Sequence, residues 1–272
     1  MSTSFSSIVI GLDLGTSKTG VSILKQIKGG ETWQCTHLNV VEAEKVFKYI
    51  SGQVPVPQRV RRVVVDAPIS DEGQSVQSFR PIDRLFMRGQ FNNNHVGLQP
   101  NNPHLLNIDY NALTKPLNKE WGMAWSDEWG DSSLRTETRV IRETFPNPVL
   151  GMLFSPTTLK ERRELLRFRF GRGKNVPVVS AAFDLISERG VPPAFFDILD
   201  ESNQIDWKWL CCTDSDQTTT GVKRPQGDDL IAALSCALVG AHEVNGTAGY
   251  VSVTGEAEAD SPAGHYLLPH RK

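Results

Sequence analysis

Long apolar runs are missing from this 272-residue chain: the richest stretch, Leu230 to Ala241, falls well short of the roughly 20 residues that a membrane-spanning helix needs. The opening residues, Met1 to Asp13, carry neither a basic segment nor an apolar stretch of the signal-peptide kind. A cytoplasmic protein with no membrane partner is therefore expected. Cysteine is scarce as well. The four thiols, Cys35, Cys211, Cys212 and Cys236, contain no C-x-x-C pair, which excludes a paired zinc site and a secreted disulfide framework and leaves small buried thiols as the expectation. An excess of positive charge is also lacking: 29 Lys and Arg face 31 Asp and Glu, a net charge of −2, so no global basicity points to nucleic acid. No internal repeat is present. With 39% hydrophobic and 22% charged residues, the chain lies outside the disordered and collagenous classes and is long enough for an ordinary core.

What is present is an alternation of strand-like and helix-like stretches. Ser7 to Asp13, Gly20 to Ile27 and Thr32 to Val41 are separated by Gly15 and by Gly29-Gly30, the pattern of a three-stranded antiparallel meander. A helical period at Val41 to Ile50 leads to a further strand at Val60 to Asp66. The pattern then dissolves through Asn92-Asn93-Asn94 and Gln99 to Pro103, giving an irregular insertion at about residues 69–136. Thr138 to Thr144 reads as a strand. Helical patterns follow at Thr157 to Phe170, Pro177 to Glu188 and Pro192 to Leu199, then a strand at Trp207 to Cys212. A strong helix runs from Asp228 to about Val244, and strands are expected at Gly249 to Thr254 and His265 to Leu268. This is a single mixed α/β domain over residues 1–272, its meander extended by parallel strands and flanked by helices.

Three of these strands end on an acid: Asp13, Asp66 and Glu143; a fourth acidic point, Asp228-Asp229, opens the strong helix. A right-handed crossover through the first helix would make the first and fourth strands parallel neighbours, with Asp13 and Asp66 emerging side by side where open α/β sheets bind their ligands. Crowded carboxylates repel, and a hard cation, Mg²⁺ or Mn²⁺, relieves them. Such ions activate water and stabilise the leaving oxygen of a phosphodiester. The plainer reading is that Asp13 and Asp66 start turns and that Asp228-Asp229 caps a helix.

Ile10 to Val21, Val64 to Ile69, Arg80 to Asp83, Val140 to Pro146, Gly227 to Leu234 and Gly264 to Pro269, in that order, resemble the predicted RNase H-like nuclease family catalogued as domain of unknown function four-two-nine. The resemblance implies an RNase H-like fold with acids of the RuvC-resolvase type at Asp13, Asp66, Glu143 and Asp228 or Asp229. It implies a metal-dependent nuclease acting on nucleic acid, with Asp13 as central ligand, and a homodimer by analogy with resolvase-like relatives. Where members of the family often carry a further acid one turn into the last helix, this chain has Ala232. A member that binds nucleic acid or serves as a scaffold without turnover is the alternative. The segment Asp13 to Thr19 also resembles the first phosphate loop of the actin and sugar-kinase ATPases, the basis of a third reading as an ATP-dependent phosphotransferase; no second Gly-rich phosphate loop accompanies it.

Basic side chains supply candidate substrate contacts. Lys18 sits in the Gly-containing loop, and Arg80, Arg84 and Arg88 follow the second acid, suited either to clamping a phosphate or to surface pairing with Asp83 and Glu72. Lys160 to Lys174 carries seven Lys and Arg against two Glu. Its Arg167 and Arg169, interleaved with Phe168 and Phe170, fit a nucleic-acid groove or the solvated face of an amphipathic helix. Trp121, Trp125 and Trp129 recur every fourth residue and would share one face of a helix. The six histidines show no metal-ligand spacing, and only His95 and His104, flanking the Asn-rich stretch, are candidates for a general base.

Overall fold

Ile8, Val9 and Ile10 in one segment and Val63, Val64 and Val65 in another are apolar at consecutive positions, the pattern of strands buried on both faces. In the computed structural model of the protein, which describes residues 5–27, 33–66, 111–125, 139–154, 227–252 and 265–269, these strands lie side by side at the centre of a six-stranded sheet. The strands are β1 (Phe5–Leu14), β2 (Lys18–Ile27), β3 (Trp33–Glu42), β4 (Val60–Asp66), β5 (Ala124–Trp125) and β6 (Val140–Thr144), in the spatial order β3-β2-β1-β4-β6-β5. The first three pair antiparallel; β4 runs parallel to β1, β6 parallel to β4, and β5 parallel to β6. A separate antiparallel pair, β7 (Ala248–Ser252) and β8 (His265–Pro269), completes the strands among the described residues. The mixed α/β class expected from the sequence is what is observed.

Alternation along each strand divides the core into two layers. Even-numbered residues of β1 and odd-numbered residues of β4 form one face, where Ile10, Leu12, Val63 and Val65 pack with Ile50 of α1 (Val46–Gln53) and Leu117 of α2 (Asn111–Trp121). The opposite face carries α4 (Gly227–Val244). This helix is apolar around most of its circumference and is buried from Leu230 to Ala241. It lies almost on the sheet backbone: a Cβ added to Gly11 would fall 2.0 Å from the Ala233 carbonyl oxygen and 2.3 Å from the Ala237 nitrogen. Glycine at position 11 is thus a requirement of helix–sheet distance. Farther along, Glu243 of α4 pairs with two buried guanidiniums of the sheet, Arg62 through its Nε and Arg142 at 3.1 Å (Nε) and 2.9 Å (Nη2). Helix α3 (Pro146–Phe154) and β8 pack beside α4 through Phe145, Val149, Val239 and Leu267.

Several elements depart from the sequence reading. β3 continues to Glu42, so the first helix begins only at Val46, after a single 3₁₀ turn at Ala43–Lys45. Within the stretch expected to be irregular, Asn111–Trp121 is helical and Ala124–Trp125 is a strand. Trp121 and Trp125 consequently do not share a helix face. Trp121 is buried against Phe47, ring centroids 5.6 Å apart. Helix α3 is an element that the sequence reading does not include; its Pro146 and Pro148 both lie in the first turn, where backbone N–H groups have no intrahelical partner to lose. Cys35 and Cys236 are buried thiols. Among the described residues no helix is long and apolar enough to cross a membrane. Outside the described residues lie Cys211 and Cys212, the helices expected at Thr157 to Phe170, Pro177 to Glu188 and Pro192 to Leu199, and the strand expected at Trp207 to Cys212.

Candidate functional site

Asp13 is the penultimate residue of β1 and Asp66 the last of β4, and the two are register partners across the parallel pair. Register partners project from the same face on strands about 4.8 Å apart, so both carboxylates leave the sheet side by side at the carboxyl ends of its central strands. Each is partly exposed. The face they share is the α4 face, because Gly11, two residues before Asp13, lies beneath that helix, and Arg62, four before Asp66, pairs with it.

On its other side Asp13 pairs with Gly20 of β2. A Cβ on Gly20 would stand 2.2 Å from the Asp229 carbonyl oxygen and 3.2 Å from the Ala233 Cβ. The first turn of α4 is therefore seated on β2 directly beside Asp13, with Asp229 partly exposed and Asp228 preceding it in the same turn. The N-terminal end of a helix carries partial positive charge that favours nearby carboxylates. Three of the sequence-predicted positions, Asp13, Asp66 and the Asp228-Asp229 turn, thus meet at one end of the sheet.

Glu143 does not join them on that face. In the β4–β6 register Asp66 aligns with Thr144, whereas Glu143 aligns with Val65. One residue out of phase means the opposite face: Glu143 leaves β6 on the side of Ile141 and Val65, toward the α1–α2 layer, and is buried there. Register thus separates Glu143 from the face that Asp13 and Asp66 share, a distinction that an acid at a strand end does not carry in the sequence. The residue actually in line with Asp66 is Thr144. Its Oγ1 donates to the Leu267 carbonyl at 2.6 Å and ties β8 to the sheet edge; nothing in the local sequence marks that role.

Lys18 is exposed at the start of β2, across the short β1–β2 turn from Asp13. Ala232 is fully buried in α4, so that position belongs to the core. The candidate contacts Arg80, Arg84, Arg88, Arg167 and Arg169, like His95, His104 and Trp129, lie outside the described residues. Among the described residues no three His, Cys, Asp or Glu side chains are grouped so as to hold a metal ion by themselves. The donors that do meet fit a hard cation nonetheless. Mg²⁺ is commonly held by one or two carboxylates, with water and substrate phosphate completing its shell, and Asp13 with Asp66 supplies that pair.

No protein-family model matches the chain, and no curated protein matches it. Among solved structures it is similar to Thermus thermophilus RuvC, with 14% identity, 88% of this chain and 97% of that chain covered and a TM-score of 0.34. It is also similar to T. thermophilus RuvC in complex with a Holliday junction substrate, with 14% identity, 88% and 94% coverage and a TM-score of 0.33.

Proposed function

We propose that this chain is an RNase H-like nuclease that hydrolyses phosphodiester bonds in nucleic acid with the help of Mg²⁺ or Mn²⁺. The observation that carries the reading is the register pairing of Asp13 with Asp66 on adjacent parallel strands. Asp13 is the central ligand, with Asp66 on one side and the Asp228-Asp229 turn of α4 on the other. When bound, the cation supplies water activation and neutralisation of charge on the phosphate. The carboxylates position it at the carboxyl ends of the central strands. Lys18 projects from the same edge as a phosphate contact, and Arg80, Arg84, Arg88, Arg167 and Arg169 are proposed as further contacts along the substrate.

The test is cleavage of labelled single-stranded, duplex, hybrid and branched DNA and RNA in Mg²⁺ or Mn²⁺, comparing wild type with Asp13→Asn and Asp66→Asn purified identically. Cleavage by wild type that is lost in both variants supports the reading. Equal cleavage by all three proteins, or none with any substrate, contradicts it.

A further inference from the structure

Two buried side-chain polar atoms among the described residues have no hydrogen-bond partner, Ser51 Oγ and Asn147 Oδ1. Ser51 belongs to α1, the helix on the far layer from Asp13 and Asp66. Asn147 belongs to the other layer and to the same end of the sheet as the carboxylate pair. Thr144, the last residue of β6, is in register with Asp66; the chain then turns tightly, Val149 N donating to the Phe145 carbonyl at 3.3 Å, and Asn147 lies in the first turn of α3. That helix packs on the α4 side of the sheet through Phe145 and Val149. The Asp13–Asp66 edge is thus flanked by two helix starts, α4 over β2 and α3 beyond β6.

Asn147 is 6% exposed. A buried carbonyl oxygen without a partner is a net cost to the fold, and it stays unrelieved until a hydrogen-bond donor or a cation arrives. An amide oxygen is a neutral hard ligand of the kind that completes Mg²⁺, Mn²⁺ or Ca²⁺ shells alongside carboxylates. We propose that Asn147 Oδ1 is a further oxygen ligand of the divalent cation held by Asp13 and Asp66. The inference rests on the reading of those two acids as a metal pair. It adds a ligand that no strand-end acid supplies.

The test is isothermal titration of Mn²⁺ into the full-length protein, in wild type, Asp13→Asn, Asn147→Leu and Asn147→Asp, with thermal melting in chelator alongside. The expected result is Mn²⁺ binding by wild type that Asp13→Asn abolishes, that Asn147→Leu weakens by about tenfold or more, and that Asn147→Asp keeps or tightens. In chelator, Asn147→Leu should melt no lower than wild type, since it removes an unpaired buried oxygen. Wild-type affinity in Asn147→Leu, together with a lower melting temperature in chelator, would assign Asn147 a purely structural role and overturn the inference while leaving the carboxylate pair standing. If Asn147→Leu does not fold, weakened binding by Asn147→Asp overturns it. Failure of wild type to bind Mn²⁺ at all would overturn the metal pair itself and this ligand with it.

Discussion

Gly20 lies under the carbonyl oxygen of Asp229 with no room for a side chain: a Cβ there would be 2.2 Å from that oxygen. This contact sets where α4 begins relative to Asp13, the register partner of Gly20. Replacing Gly20 with Ala must push the first turn of α4 off β2. The expected cost is about 1–3 kcal/mol, as for overpacking elsewhere, measured by urea denaturation, with a loss of any Mn²⁺-dependent rise in melting temperature. A variant as stable as wild type would show that α4 is not seated as described.

Glu243 anchors the far end of the same helix between Arg62 and Arg142, both side chains 2% exposed. Removing the shared carboxylate leaves two buried guanidiniums without it, and breaking a buried ion pair by deleting one partner costs about 3–5 kcal/mol. Glu243→Ala should lose that much in denaturant unfolding. A loss below 1 kcal/mol would mean that the triad does not hold α4 to the sheet.

Thr144→Val keeps the shape of the side chain and deletes the 2.6 Å hydrogen bond to the Leu267 carbonyl. A buried carbonyl left without its donor costs about 1–3 kcal/mol. The expectation is a loss in that range, together with faster amide hydrogen exchange in β8 than elsewhere in the sheet. Uniform exchange would detach Thr144 from the positioning of β8.

Burial pushes the Cys35 thiol from its ordinary 9.0 up to about 12, against the smaller opposing effect of hydrogen bonds involving Ser22 and the His37 carbonyl. Its folded pKa is raised, so the thiol is protonated in both states below pH 9 and costs nothing there. Between pH 9 and 12 the unfolded chain ionises first, and stability falls. Cys35→Ala should flatten the decline in unfolding free energy over that range, and the native thiol should resist alkylation at pH 8.5. Rapid labelling of Cys35 in the folded protein would contradict its burial.

The central strands were readable because Ile8 to Ile10 and Val63 to Val65 are apolar without interruption, and the parallel placement of β1 beside β4 followed from the handedness of the crossover. The helix from Asp228 was equally legible, from its unbroken apolar length. Two things were not. Register is a property of strand pairs, and nothing within Val140 to Thr144 says whether Glu143 or Thr144 will stand opposite Asp66. Helix α3 was hidden by Pro146 and Pro148, which break a helix interior but are tolerated in a first turn, and with it went Asn147. The acids could be named from the sequence; which face each one takes depended on pairings that only the folded sheet provides.

That distinction supplies the most direct test of the site. Mn²⁺ affinity should be measured by titration calorimetry in Asp13→Asn, Asp66→Asn and Glu143→Gln, each checked by circular dichroism for retained fold. The account predicts that Asp13→Asn and Asp66→Asn each lose binding by about tenfold or more, while Glu143→Gln binds as wild type does. Loss of binding in Glu143→Gln with retention in Asp66→Asn would contradict it.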